Sequence, residues 1–174
     1  MLIIIGSMKK KISQFSKQMS GNAGELFVVA ELLRRGIIAS LLPAGTKDND
    51  IIITRRDTEN KVGFIQVKTS DPNHNSGSFP FNNLKRFKEY QNAPDNQYVV
   101  FVRLESKKKI PLEFWITTKK EIGEEVVKWG EETKTVSDYK DIRIGIPGKR
   151  QKMGVNVKEG WEDNWDLFKE YESV

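Results

Sequence analysis

Hydrophobic and polar positions alternate along this chain in segments whose periods change several times. Leu26, Ala30, Leu33 and Ile37 recur at helical spacing and predict a core stripe on a helix over 20–35, stopped by Gly36. Asn22 with Glu25 three positions on reads as a variant capping box at its start. An apolar run over 37–42 predicts a first strand, and 43–49 is a loop by composition. Two runs rich in β-branched residues follow, over 50–54 and 62–69, flanking a charged connection. That is the pattern of a hairpin.

Within the second run the side chains alternate between faces, Ile65 and Val67 one way, Phe64, Gln66 and Lys68 the other. A turn centred near Asp57 to Glu59 would set Asp50 opposite Lys68 and Ile52 opposite Gln66. A carboxylate, an amide and an ammonium would then gather at one end of otherwise apolar strands. Burial alone does not call for Gln66 and Lys68 there. An Asp with a nearby carbonyl holds Mg²⁺, and a Lys beside it orients or deprotonates water and offsets phosphate charge.

Downstream, 71–80 reads as a loop, and 82–90 as a short basic helix with Leu84, Phe87 and Tyr90 inward and Lys85, Arg86 and Lys88 outward. Runs over 97–104 and 112–117 predict a second hairpin. Thr118 and Glu121 open a helix through Trp129, ended by Gly130. Ile142, Ile144 and Ile146 alternate as a strand, 147–152 is a basic turn, and 161–171 is a closing amphipathic helix carrying Trp161, Trp165 and Phe168.

Composition narrows the chemistry. The 174 residues suit one domain, placed over 20–174 after an N-terminal extension over 1–19. The absence of cysteine excludes disulfides, thiolate zinc sites and a Cys nucleophile; His74, the single histidine, has no Cys or second His with which to make a zinc cluster, and a lone loop histidine argues against a Ser-His-Asp triad. No segment has the length of a membrane span, and a cytoplasmic location is expected. A net charge of +5 permits a polyanionic partner. Lys85, Arg86, Lys88, Lys149, Arg150 and Lys152 are the candidate phosphate contacts.

Each candidate also has a plain structural reading. Glu25 suits a helix N-terminus, Asp50 a turn before a strand, and Lys68 a solvated strand lysine. Asp48 is the rival carboxylate to Asp50.

Taken together and in order, Gly24-Glu25, Leu32-Leu33-Arg34-Arg35-Gly36, Asp50-Ile51-Ile52 and Ile65-Gln66-Val67-Lys68-Thr69 resemble the PD-(D/E)XK nuclease superfamily. They look most like the archaeal Holliday junction resolvases and the homing endonucleases that use Gln-x-Lys. The resemblance spans 22–70. It implies an α/β fold with a restriction-endonuclease-like core, a central mixed sheet flanked by helices. It also implies a Mg²⁺- or Mn²⁺-dependent DNA endonuclease acting as a homodimer. Asp50 would be a metal ligand and Glu25 a ligand to metal or metal-bound water. Gln66 would be a neutral ligand or hydrogen-bond partner, Lys68 the water-activating cation, and the Val67 carbonyl a further ligand. Most members carry Asp or Glu where this chain has Gln66. The alternative is a lapsed nuclease fold that binds nucleic acid or a partner protein.

Overall fold

The computed structural model describes residues 2–56, 61–71, 78–81, 84–105, 112–135, 142–146 and 154–173. Helix α1 (Leu2–Arg34) precedes strands β1 (Ile38–Leu41), β2 (Ile51–Thr54), β3 (Val62–Ser70) and β4 (Ser78–Pro80). Helix α2 (Leu84–Tyr90), strands β5 (Gln97–Arg103) and β6 (Glu113–Thr118), helix α3 (Lys119–Glu132) and strands β7 (Arg143–Gly145) and β8 (Gly154–Asn156) follow. Two 3₁₀ segments, Glu159–Trp161 and Trp165–Tyr171, end the described chain.

The central sheet is mixed, in the order β1-β2-β3-β5-β6. β1, β2 and β3 form an antiparallel meander, β3 and β5 are parallel, and β6 returns antiparallel to β5. A parallel pair requires a crossover, and here it runs through β4 and α2 on one face. β4, β7 and β8 make a second, three-stranded sheet.

Both faces of the central sheet are covered, so its inner strands are apolar on both sides. Val28 and Leu32 of α1 pack with Ile65, Val67, Val100, Ile116, Trp165, Phe168 and Tyr171. On the opposite face Val99, Phe101 and Trp115 pack with Phe79, Phe87, Ile122 and Val126. The alternation expected for β3 holds: Ile65 and Val67 lie in the α1-side core, while Gln66 meets α2 on the other face.

Several expectations are corrected. α1 begins at Leu2, so it runs unbroken through the boundary drawn at residue 20, and Asn22 and Glu25 are helix interior instead of a cap. The core stripe is Val28 and Leu32; Leu26, Ala30 and Leu33 are exposed. Both stripes have helical spacing, and spacing alone does not say which one faces the sheet. The hairpin register is Ile51 with Ile65 and Ile52 with Phe64, two residues from the expected pairing of Asp50 with Lys68. A slip of two preserves the faces, whereas a slip of one would have inverted them.

The loop over 71–80 ends in β4. α3 starts as expected, with Thr118 Oγ1 accepting from the Glu121 N–H, but passes Gly130 to reach Glu132. A Cβ on Gly130 would lie 2.8 Å from a Leu84 methyl, so this glycine serves close helix packing, not termination. The closing helix is 3₁₀, not α: Trp165, Phe168 and Tyr171 are buried at intervals of three, the repeat that eclipses side chains in a 3₁₀ turn.

Candidate active site

The candidate site forms where β2 ends and β3 continues. Asp50 immediately precedes β2, and its main-chain N–H donates to the Ile65 carbonyl at 2.8 Å. Its carboxylate turns onto the neighbouring strand, where Oδ2 accepts the Val67 N–H at 2.7 Å. In a strand the N–H and C=O of one residue point to the same edge. The Val67 carbonyl therefore faces the side from which β2 has already departed at Ile51.

Glu25 comes from α1. Its approach depends on Gly24, where a Cβ would sit 2.0 Å from Thr69 Oγ1 and 3.0 Å from Thr69 Cβ. Only a residue without a side chain lets α1 lie this close to β3. Glu25, Val67 and Lys68 then line one pocket of ≈ 340 Å³ with Lys17, Ser20 and Arg143 among its other walls. Burial raises the Glu25 carboxyl above its usual range, and the Asp50 charge adds to this, against the pull of Lys68. Burial lowers the Lys68 ammonium, opposed by Asp50 and Glu25. Glu25, Asp50 and Lys68 thus feel one another's charge, and Val67 is tied to them by its hydrogen bond to Asp50. The Lys68 ammonium also lies 5.3 Å from the centre of the Phe81 ring.

Gln66, two residues before Lys68 on the same face of β3, reaches α2 and does not line that pocket. It is 5 % exposed, and its Oε1 accepts the Tyr90 hydroxyl of α2 at 2.7 Å. The hydrogen bond it makes is thus to α2 and not to Asp50, Glu25 or Lys68. Burial raises the Tyr90 hydroxyl, with Arg86 acting in the opposite sense.

Lys119 is a residue that the sequence did not single out. It is 2 % exposed, and its ammonium donates to the Asp48 carbonyl, Asn49 Oδ1 and Gln97 Oε1, each at 2.9 Å. It lies 5.3 Å from the Tyr90 ring centre. Burial, reinforced by Arg86, pushes it down to about 8, with Asp50 pulling upward and Lys68 adding to the depression. It ties the loop that delivers Asp50 to the start of β5 and α3. One sequence signal was available: a lysine in the first turn of a helix opposes the helix dipole and calls for another reason to be there.

Asp48, the rival carboxylate, is ion-paired with Arg86. That corrects the outward placement of Arg86, which is partly buried, whereas Lys85 and Lys88 are exposed as expected. Lys149, Arg150, Lys152 and His74 lie outside the described residues.

Among the described residues no three His, Cys, Asp or Glu side chains cluster as a metal site. The residues that could hold an ion are Glu25, Asp50 and the Val67 carbonyl, whose hard oxygens are the donor type that suits Mg²⁺ or Mn²⁺ when water completes the shell. Among the described residues no helix is long and apolar enough to cross a membrane.

No family model and no curated protein matches the chain. Among solved structures it is similar to a bacterial homing endonuclease, I-Ssp6803I, with a TM-score of 0.50 and 14 % identity over 89 % of this chain and 94 % of that chain. At this identity the likeness is one of fold.

Proposed function

We propose that this chain is a metal-dependent DNA endonuclease of the PD-(D/E)XK kind, hydrolysing phosphodiester bonds. The observation that carries the reading is the grouping of Glu25, Asp50, Val67 and Lys68 where β2 leaves β3. The shared fold with a homing endonuclease supports it.

Glu25, Asp50 and the Val67 carbonyl would hold a divalent ion, which supplies an acidified water and offsets phosphate charge. Asp50 is oriented for this by the Val67 N–H, which fixes one carboxylate oxygen and leaves the other. Glu25, less acidic than an exposed carboxylate, binds a cation only once its proton is gone. Lys68 is less basic than a solvent lysine, which lets it accept a proton from water or donate a hydrogen bond to a phosphate oxygen. Gln66, held by Tyr90, shapes the wall behind them. Lys85 and Lys88 would contact DNA phosphates. A homodimer belongs to this proposal because cutting both strands takes two sites.

The experiment is nicking of supercoiled plasmid and cutting of branched DNA across a Mg²⁺ and Mn²⁺ titration, with Lys68→Ala as the control. Cleavage by the wild type that Lys68→Ala abolishes is expected. DNA binding without cleavage at any metal concentration would instead favour the lapsed-nuclease alternative.

A further inference from the structure

α1 is apolar on two opposite faces. Val28 and Leu32 are fully buried against the sheet, while Met19 (53 %), Leu26 (57 %), Phe27 (44 %) and Leu33 (54 %) are exposed. A helix apolar all round is normally covered all round. Met19, Leu26 and Leu33 stand seven residues apart, the interval at which one helix keeps a single seam against another. Small or short side chains, Ala23 and Ala30, fill the stripe between them and allow close approach, and Asn22 beside it is the sort of polar seam position that fixes register.

We infer that this stripe is the contact surface between two copies of the chain, packed through α1. The stripe is its own complement: Met19 and Leu33 stand equally far on either side of Leu26, so a two-fold axis through Leu26 lays the stripe on itself, as an isologous contact requires. Its size agrees. Half exposed, the four large side chains present on the order of 400 Å² of apolar surface, an extent at which a patch is commonly functional. Two copies bury about twice that from these side chains alone, and Asn22, Ala23, Ala30 and Arg34 around them bring the contact to the ~1,000 Å² a specific interface needs. Leu41, also exposed on edge strand β1 against which α1 packs, adds to the apolar character of this side.

The pairing also bears on the candidate site. Glu25 and Gly24 lie on the same helix, on its sheet-facing side, so an α1 pair would fix the separation of two sites while leaving each pocket open.

The test is the solution mass of the full chain by sedimentation equilibrium at micromolar concentration. The wild type should sediment at twice 20.0 kDa, and Leu26→Glu at 20.0 kDa with an unchanged far-UV circular dichroism spectrum. A wild type of 20.0 kDa, which would leave the stripe to another occupant, overturns the inference, as does a Leu26→Glu protein that stays at twice that mass. Should Leu26→Glu fail to fold, Leu33→Glu replaces it with the same two outcomes. The mass is read without metal or DNA, so its outcome is independent of whether the chain cuts DNA.

Discussion

The Asp50 carboxylate accepts the main-chain N–H of Val67 across the gap that opens where β2 ends, 2.7 Å from Oδ2 to nitrogen. One bond thus serves two purposes: it closes the sheet's broken ladder and fixes the Asp50 carboxylate against Val67, a residue of the pocket wall. Asp50→Ala should abolish cleavage and, by leaving the Val67 N–H without its acceptor, lower stability by about 1–2 kcal/mol. Plasmid nicking and urea denaturation read the two effects separately. Cleavage surviving in Asp50→Ala would place the chemistry elsewhere.

Gly24 meets Thr69 so closely that no Cβ fits between them. Gly24→Ala should destabilise by about 1–3 kcal/mol despite alanine's higher helix propensity, because the clash involves side-chain atoms at the base of Thr69 and not a flexible tip. Thr69→Ala removes two of the three clashing atoms, so the double variant should lose less stability than the sum of the singles. Additive losses would show that α1 does not depend on this contact.

The sequence was informative where period and local chemistry coincide. The inward faces of α2, the N-cap at Thr118 and the alternation in β3 all follow from spacing and residue type, and the structure shows each of them. Asp50 and Lys68 were readable as candidates because polar groups in apolar strands demand a reason. What failed depended on tertiary choice. Two apolar stripes on α1 compete, and only the sheet decides between them. The hairpin register depends on a turn whose geometry the charged residues do not specify. Arg86 pairs with Asp48 across 38 positions of sequence, a relation no local pattern carries. Lys119 escaped notice because its acceptors come from separate segments of the chain.

Lys119 donates to all three of those oxygens, so Lys119→Met should leave partly buried acceptors short of a donor and cost about 1–3 kcal/mol. The pH dependence has a definite sign. Below about 8 folded and unfolded chains both carry the ammonium; between about 8 and the ordinary 10.5 only the unfolded chain does. The unfolded state then binds more protons, so the lysine's contribution to stability rises with pH across that window. The stability gap between wild type and Lys119→Met should therefore widen from pH 8 to pH 10.5 in urea titrations. A gap that narrows would mean Lys119 is not held as described.

The basic residues of α2 divide by environment. Lys85 and Lys88 are exposed, and charge reversal of either should weaken DNA binding for all sequences alike, lowering the salt slope by about one unit for each phosphate no longer neutralised. Arg86→Ala should act on stability instead, by about 1 kcal/mol, because it removes the partner of Asp48. Fluorescence anisotropy over a salt series separates the two behaviours. Unchanged affinity and slope in both lysine variants would remove α2 from the DNA surface.

If the proposed reading holds, Gln66 would set the metal requirement. A neutral amide in place of a carboxylate leaves Glu25 and Asp50 as the only charges offsetting the dehydration of a hard cation, so cleavage should need high metal concentration and favour Mn²⁺ over the more reluctantly dehydrated Mg²⁺. Gln66→Glu adds the missing charge at a position that is 5 % exposed. The cost of burying it is limited because the Tyr90 hydroxyl already donates to Oε1 at 2.7 Å and can donate equally to a carboxylate. The variant should therefore fold and reach half-maximal cleavage at lower metal concentration than the wild type. Adding Tyr90→Phe removes that donor and should reverse the gain by raising the new carboxyl's pKa. Metal titrations of cleavage on the three proteins decide this. An unchanged metal requirement in Gln66→Glu would show that position 66 faces α2 only and takes no part in holding the ion.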